Sequence, residues 1–398
     1  MADFNKTEEP EGVSGRGRGF ALWRMGFRPF YLLASVFASV SIGLWAVQYV
    51  GWLGRPYLQG SMWHAHEMLF GFTLAVVVGF LFTAVRNWSG QPTPTGAPLA
   101  ALAALWIAGR LLVLTPYAWA AAIVNAAFPL LAAIALALPL VASRNRRNYF
   151  FVALLVLLSA AALAVHLSQL GVLEMPVWIG IQIGFDAVLV VMVVMAGRVV
   201  PMFTNNGVPG AKATRHPVVE MASLASVFVI LAADMMQLRG PAMAAVLAIT
   251  AIAHLARLWL WRPLTTWRVP LVWVLHVAYL WIVLHFGLRA LSSLGLVASS
   301  AATHALTVGA IGGLVIGMMT RTARGHTGRP LRADPFDVAC YVLILGAALV
   351  RVFIPLAFPA ATLHSIIFSA VLWSLGFALY ALRYWPVLSR PRLDGQPG

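Results

Sequence analysis

One cysteine, Cys340, stands in 398 residues. That excludes a disulfide scaffold and any cluster of thiolate ligands. Acidic side chains are also scarce, 12 Asp and Glu against 27 Lys and Arg, and charged residues make up only 10% of the chain. Soluble proteins carry roughly 25%. So few carboxylates argue against a carboxylate-held di-iron site. Loops long enough to form a soluble domain are missing as well. What is abundant is hydrophobic residues, 61% of the chain against roughly 45–50% in soluble proteins. Neither a globular core nor a disordered chain accommodates that composition. It implies an all-α membrane protein whose function lives among its spans.

A soluble protein with a net charge of +15 would raise the question of nucleic acid. A membrane protein instead gathers positive charge in the loops of one face, so the expected partner is the lipid bilayer and not nucleic acid. The polar N-terminal stretch lacks the apolar segment and cleavage site of a signal peptide. Residues 1–28 therefore read as a cytoplasmic tail, 29–385 as one transmembrane domain and 386–398 as a second cytoplasmic tail.

Apolar runs of about 20 residues, the length that spans a bilayer, fall at 29–50, 62–85, 97–114, 118–141, 149–170 and 174–197. Six more fall at 217–237, 242–261, 270–291, 301–320, 336–357 and 361–385. Twelve spans put both termini on one side. That side receives 22 of the 27 Lys and Arg, and the other only Arg55, Arg239 and Arg289, with Arg110 and Arg351 inside spans. The asymmetry predicts cytoplasmic termini.

A partial internal repeat joins spans 2–3 to spans 10–11. At an offset of 238 residues, His66 matches His304, Gly71 matches Gly309, and Gly79 matches Gly317. Arg86 then matches Arg324, Gly90 matches Gly328, and Pro92 matches Pro330. Both copies run the same way through the membrane, and such repeats are common in membrane bundles.

Ionisable side chains inside spans are costly and usually mark function. With the termini inside, His64, His66, His166, His285, His304 and His364 share the outer layer, together with Glu67, Arg110, Arg351 and Asp234. Asp186 falls near mid-membrane, and His216, His254, His276 and His326 on the inner side. Six histidines in one layer point to haem, copper or both, because imidazole suits these metals. His64 and His66 lie about 200° apart on a helix and cannot both face one small site. His64 would then serve a second site or pair with Glu67. Arg110 and Arg351 need partners, either Glu67, Asp186 and Asp234 or the propionates of a haem. The segments Arg198 to Gly207 and Arg321 to Pro330 read as basic cytoplasmic ends of spans 6 and 10, the second able to bind phosphate or serve as a charge anchor.

The run Trp63-His64-Ala65-His66-Glu67-Met68-Leu69-Phe70-Gly71-Phe72 resembles the opening signature of the NnrS family. The run Arg198 to Gly207 and the stretch from His304 to Pro330 are similar to its other marks. The resemblance implies a twelve-span bacterial inner-membrane protein that binds haem, of the b type, and copper. It also implies a role in resisting nitric oxide, in nitrosative stress and denitrification. It supplies no ligand assignment, so Glu67, Arg198, Arg321, Arg324 and His326 carry over as motif residues only. On that footing His66 and His304 are the expected haem ligands, with Arg110 and Arg351 at the propionates. His64, His285 and His364 are the expected copper ligands, and nitric oxide or a related small molecule the expected ligand. The contrasting reading is a secondary transporter built on buried Asp, Glu and Arg pairs. A weaker likeness, to the twelve-helix subunit of haem-copper oxidases, fails at their adjacent histidine pair, which this sequence lacks.

Overall fold

A computed structural model of the chain describes residues 19–52 and 56–396. Lys6, Arg16, Arg18 and Arg55, which entered the charge asymmetry, lie outside the described residues, as does most of the predicted N-terminal tail. Among the described residues there is no strand, and twelve helices carry the fold. They are α1 (Phe27–Tyr49), α2 (Gly60–Ser89), α3 (Gly96–Leu112), α4 (Ala118–Ala142), α5 (Tyr149–Gln169) and α6 (Val177–Gly207). There follow α7 (Pro217–Met235), α8 (Pro241–Leu260), α9 (Pro270–Ser293), α10 (Ser299–His326), α11 (Pro335–Ala357) and α12 (Thr362–Ser389). Eleven are long and apolar enough to cross a membrane, and α3 is a shorter apolar helix of 17 residues. The protein is thus an all-α, multi-pass membrane protein.

Helix starts follow local chemistry. Pro217, Pro241, Pro270 and Pro335 open α7, α8, α9 and α11, a position where the missing N–H costs nothing. At α11 the Asp334 carboxylate accepts the Asp337 N–H and the Asp337 carboxylate accepts that of Asp334, each at 3.0 Å. Helix α2 stops at Gly90, whose φ of 65° suits a residue without Cβ. Pro201 fails to stop α6, as prolines inside membrane helices often do. The expectation that the spans ended at 197 and 320 is therefore corrected. Both motif segments continue as helix, to Gly207 and to His326.

The chain divides into two compact units. One takes the chain up to Phe185 with Thr322–Pro330 and everything from Ala378 onward; the other takes Asp186–Arg321 and Leu331–Phe377. In the first unit the two chain ends meet: the Ala21 N–H donates to the Ser389 carbonyl at 2.7 Å. That places them on one face, as an even number of crossings requires.

The repeat is a structural fact. In α2 a π-helical stretch, Glu67–Thr73, begins one residue after His66; in α10 another, Ala305–Gly312, begins one residue after His304. Two of the three glycine pairs of the repeat sit where a neighbouring helix presses close. A Cβ on Gly79 would lie 2.8 Å from Phe30 of α1, and one on Gly317 would lie 2.8 Å from Val274 of α9. One on Gly71 would strike Phe37 and Arg110, and one on Gly309 would strike Trp281. Val274 and Trp281 each follow Phe30 and Phe37 by 244 residues, so the repeat extends to α1 and α9, beyond the spans in which it is legible as sequence.

Burial singles out three helices. The most apolar stretches of α2, α6 and α10 are 89%, 72% and 67% buried, against 61% or less for the other eight spans.

Candidate functional site

In the first unit α2, α3, α4 and α5 bring one polar cluster together. His66 and Glu67 sit at the junction where α2 passes into its π-helical stretch, a distortion frequent at functional sites. Glu67 Oε1 lies 2.8 Å from His66 Nδ1 and 3.2 Å from an Arg110 guanidinium nitrogen. Arg110 also donates to the Asn125 side-chain oxygen. Asn125 is fixed in turn by donating to the Ala121 carbonyl at 2.8 Å. Gly71 leaves the space that Arg110 occupies, and the Arg110 guanidinium lies over the Trp106 ring, 5.7 Å from its centroid.

His166 of α5 completes the cluster. Its ring centroid lies 4.8 Å from that of His66 with 73° between the planes. The Tyr57 hydroxyl donates to the His166 carbonyl at 3.2 Å and lies 3.3 Å from His166 Nδ1. When the hydroxyl donates to the carbonyl it accepts from His166 Nδ1, the tautomer that leaves Nε2 as a lone pair. The Glu67 carboxylate, paired with Arg110, likewise accepts from His66 Nδ1. In this tautomer each imidazole leaves its Nε2 as a lone pair. Both Nε2 atoms are buried without a hydrogen-bond partner, and so is Glu67 Oε2. His66, Glu67 and His166 are fully buried. Tyr57 lies between α1 and α2, where burial pushes its phenol up to about 12.

His64 and His66 do face different ways. His64 stacks on Trp45 with 4.8 Å between centroids. The option that His64 pairs with Glu67 is corrected, because Glu67 binds His66 and Arg110. A π-helical start explains the difference, since its wider turn carries Glu67 away from the face that simple helical spacing assigns it.

The second unit holds its own buried groups. His285 donates from Nδ1 to the Ala302 carbonyl at 2.8 Å and leaves Nε2 without a partner. One turn on, Arg289 binds both carboxylate oxygens of Asp234 and approaches Asp186 at 3.8 Å. Asp186 and Asp234 thus belong to Arg289, not to Arg110 or Arg351. Arg289, assigned to the outer side, lies within α9. Arg257, assigned to the inner side, is buried in α8. It binds Glu220 through two nitrogens and also the Tyr279 hydroxyl.

The remaining expected residues are placed as follows. His304 is half-buried, with Nδ1 2.6 Å from the Ser300 carbonyl. His364 is exposed at the start of α12. Arg351 is half-buried in α11, with no hydrogen bond or ion pair among the described residues. Arg198 accepts from Arg215 through its carbonyl at 3.2 Å, and Arg321 lies over the Phe203 ring at 3.8 Å. Arg324 donates to the Tyr384 hydroxyl at 3.2 Å, and His326 packs against Phe27. Among the described residues no group of three or more His, Cys, Asp or Glu is placed to hold a metal ion. The sequence did not reveal the roles of Tyr57 and Asn125, nor the pairing of His166 with His66. A single Asn within an otherwise apolar α4 was the one available signal.

The family model described as NnrS protein matches residues 21–392. No curated protein matches the chain.

Proposed function

The chain belongs to the NnrS family, and on that premise we propose that it is a metal-binding protein of the nitric oxide response in the bacterial inner membrane. Haem iron or copper would be held through imidazole, with His66 and His166 as the best-supported ligands. The observation that carries this is two imidazoles with ring centroids 4.8 Å apart, each with a buried Nε2 that has no partner. A buried polar atom left unsatisfied costs about 1–3 kcal/mol, and this cluster has several.

The donor set fits a metal. Each Nδ1 is engaged, His66 by a carboxylate and His166 by a hydroxyl, which is how ligand imidazoles are oriented and made more basic. Both imidazoles together would hold one copper-sized ion, or His66 alone would hold a haem iron. His304 and His285, each with Nδ1 directed to a backbone carbonyl, are further ligands in this reading. His64 and His364 have less support, being stacked on Trp45 and exposed.

Bound metal would supply a centre that takes nitric oxide or passes an electron. The chain's own residues set that centre's surroundings. Glu67 holds the Nδ1 proton of His66 and offsets the Arg110 charge, while Asn125 and Trp106 keep Arg110 in place. The buried setting excludes water.

The test is the optical spectrum and metal content of detergent-purified protein supplied with haem and copper, oxidised, reduced and exposed to nitric oxide. A chromophore or bound copper lost in His66→Ala and His166→Ala supports the reading. A folded wild-type protein that stays colourless and metal-free overturns it. A secondary transporter is the second reading, favoured by Arg289 bridging two buried carboxylates. It predicts solute flux lost in Asp186→Asn and retained in His66→Ala.

A further inference from the structure

Arg351 stands in α11, six residues before the helix ends at Ala357. At about 1.5 Å per residue it lies about 9 Å short of that end, inside the span. It is half-buried and has no hydrogen bond or ion pair among the described residues. A guanidinium left alone in hydrocarbon is costly, so Arg351 requires an anion.

The second unit has none to spare. Its carboxylates are Asp186, Glu220, Asp234, Asp334 and Asp337. Asp186 and Asp234 share Arg289, and Glu220 binds Arg257. Asp334 and Asp337 cap the far end of α11, and Asp337 is about 21 Å from Arg351 along the axis.

The repeat explains the missing partner. In the first unit the intramembrane Arg110 is held by Glu67 and Asn125, in space that Gly71 leaves. At the repeat offset of 238 residues Ala305 takes the place of Glu67. The space at Gly309, the counterpart of Gly71, is filled by Trp281, which stands where the first unit has the smaller Phe37. Arg351 follows Arg110 by 241 residues and keeps its charge, without the carboxylate or the notch.

The surroundings say where an anion can arrive. On the face of α11 that carries Arg351, Ala347 and Ala348 one turn back are buried, Ile354 and Pro355 one turn on are half-buried, and Phe358 beyond is exposed. The face thus opens toward the end of the span. Phe358 and Leu363, 64% and 65% exposed, offer apolar surface to acyl chains there. An arginine can bury its stem and carry its head toward the headgroup layer, and its guanidinium fork matches phosphate oxygens.

We propose that Arg351 binds the phosphate of a membrane phospholipid, seated where this face of α11 opens. The site is independent of the imidazole cluster and would exist whether or not that cluster binds metal.

Native mass spectrometry of the delipidated full chain, with phosphatidylglycerol added in steps, reads the bound lipid. Wild type should retain a lipid that Arg351→Gln binds about tenfold more weakly, the loss expected of charge-assisted hydrogen bonds. Diacylglycerol of the same chain length, which lacks the phosphate, should not compete. Exposed Arg146→Gln with Arg147→Gln should change nothing. Thermal melts add a check that misfolding cannot imitate. Without lipid, Arg351→Gln should melt no lower than wild type, and added phosphatidylglycerol should raise the wild-type midpoint more. The proposal fails if Arg351→Gln retains the lipid as wild type does, if diacylglycerol competes equally, or if the Arg146 and Arg147 control loses as much. It fails too if Arg351→Gln leaves lipid binding unchanged and instead splits an oligomer or releases haem from haem-loaded protein. Those results would give Arg351 a second copy of the chain, or a propionate, as its partner.

Discussion

The His166 ring meets the His66 ring edge-on, 4.8 Å between centroids and 73° between planes, though 100 positions separate them in the chain. Each presents a bare, buried Nε2 because Glu67 and the Tyr57 hydroxyl occupy the opposite nitrogens. The consequences of that relationship reach beyond the two rings.

Glu67→Gln removes the carboxylate that orients His66 and offsets Arg110. For the copper site proposed above, loss of such a partner would lower metal affinity by about 10–100-fold, which copper titration of the purified variant measures. Breaking a buried ion pair from one side costs about 3–5 kcal/mol. The paired Glu67→Gln, Arg110→Gln variant should therefore be more stable than Glu67→Gln alone. Equal denaturation midpoints for the single and paired variants would contradict the ion pair.

Gly71→Ala and Gly309→Ala should each destabilise, since the new Cβ meets Phe37 and Arg110 in one case and Trp281 in the other. Overpacking of this kind costs about 1–3 kcal/mol. Gly43→Ala, with open space around the new atom, is the control. Thermal melts that rank Gly43→Ala with the other two would refute the close packing at both repeat positions.

Arg289 neutralises Asp234 and Asp186 together. Replacing Arg289 with Gln removes the cation that Asp186 and Asp234 share and should destabilise more than Asp186→Asn, which leaves the Arg289–Asp234 pair intact. Urea or detergent denaturation of the two variants orders them.

Two groups outside the spans set pH windows of opposite sign. Arg392 holds the exposed Asp394 carboxyl down to about 2. Its contribution is present above the unfolded carboxyl range and lost as pH falls through the folded value. Protection of the Leu393 amide, corrected for intrinsic exchange, should survive at neutral pH and fade toward pH 2. Burial raises Tyr57 to about 12. Its contribution is present below the free phenol's pKa and lost as pH climbs through the folded value. Tyrosinate absorbance appearing near pH 10 to the same extent in wild type and Tyr57→Phe would agree with that direction. An excess in wild type would not.

Much of the architecture was legible because membrane helices announce themselves by length and composition. Eleven of the twelve predicted spans are helices long and apolar enough to cross, and the α3 span, a little short, is present as an apolar helix. The errors fall where a helix runs on past an expected stop, at Pro201 and beyond Thr320. A proline's lost hydrogen bond is readily compensated in a membrane helix. Of the expected site residues, His66, Glu67 and Arg110 do come together. His166 belonged to the expected outer layer but not to the expected ligands, because depth along an axis carries no information about facing.

The same division runs through the whole protein. Sequence alone determined that the chain crosses the membrane, how many helices it uses, that both ends share a face, and that α2 and α10 are copies. All of these follow from local hydrophobicity, charge and spacing, which act within one helix at a time. Only the tertiary structure decided that Arg289 and Arg257 bind carboxylates of neighbouring helices, and that α1 and α9 join the repeat. It alone joined Tyr57, His66, Asn125 and His166 around one cluster. Those outcomes depend on which faces of separate helices pack together, and that is set by small residues such as Gly71 and by the π-helical turn after His66. A pattern read along a single helix does not contain them.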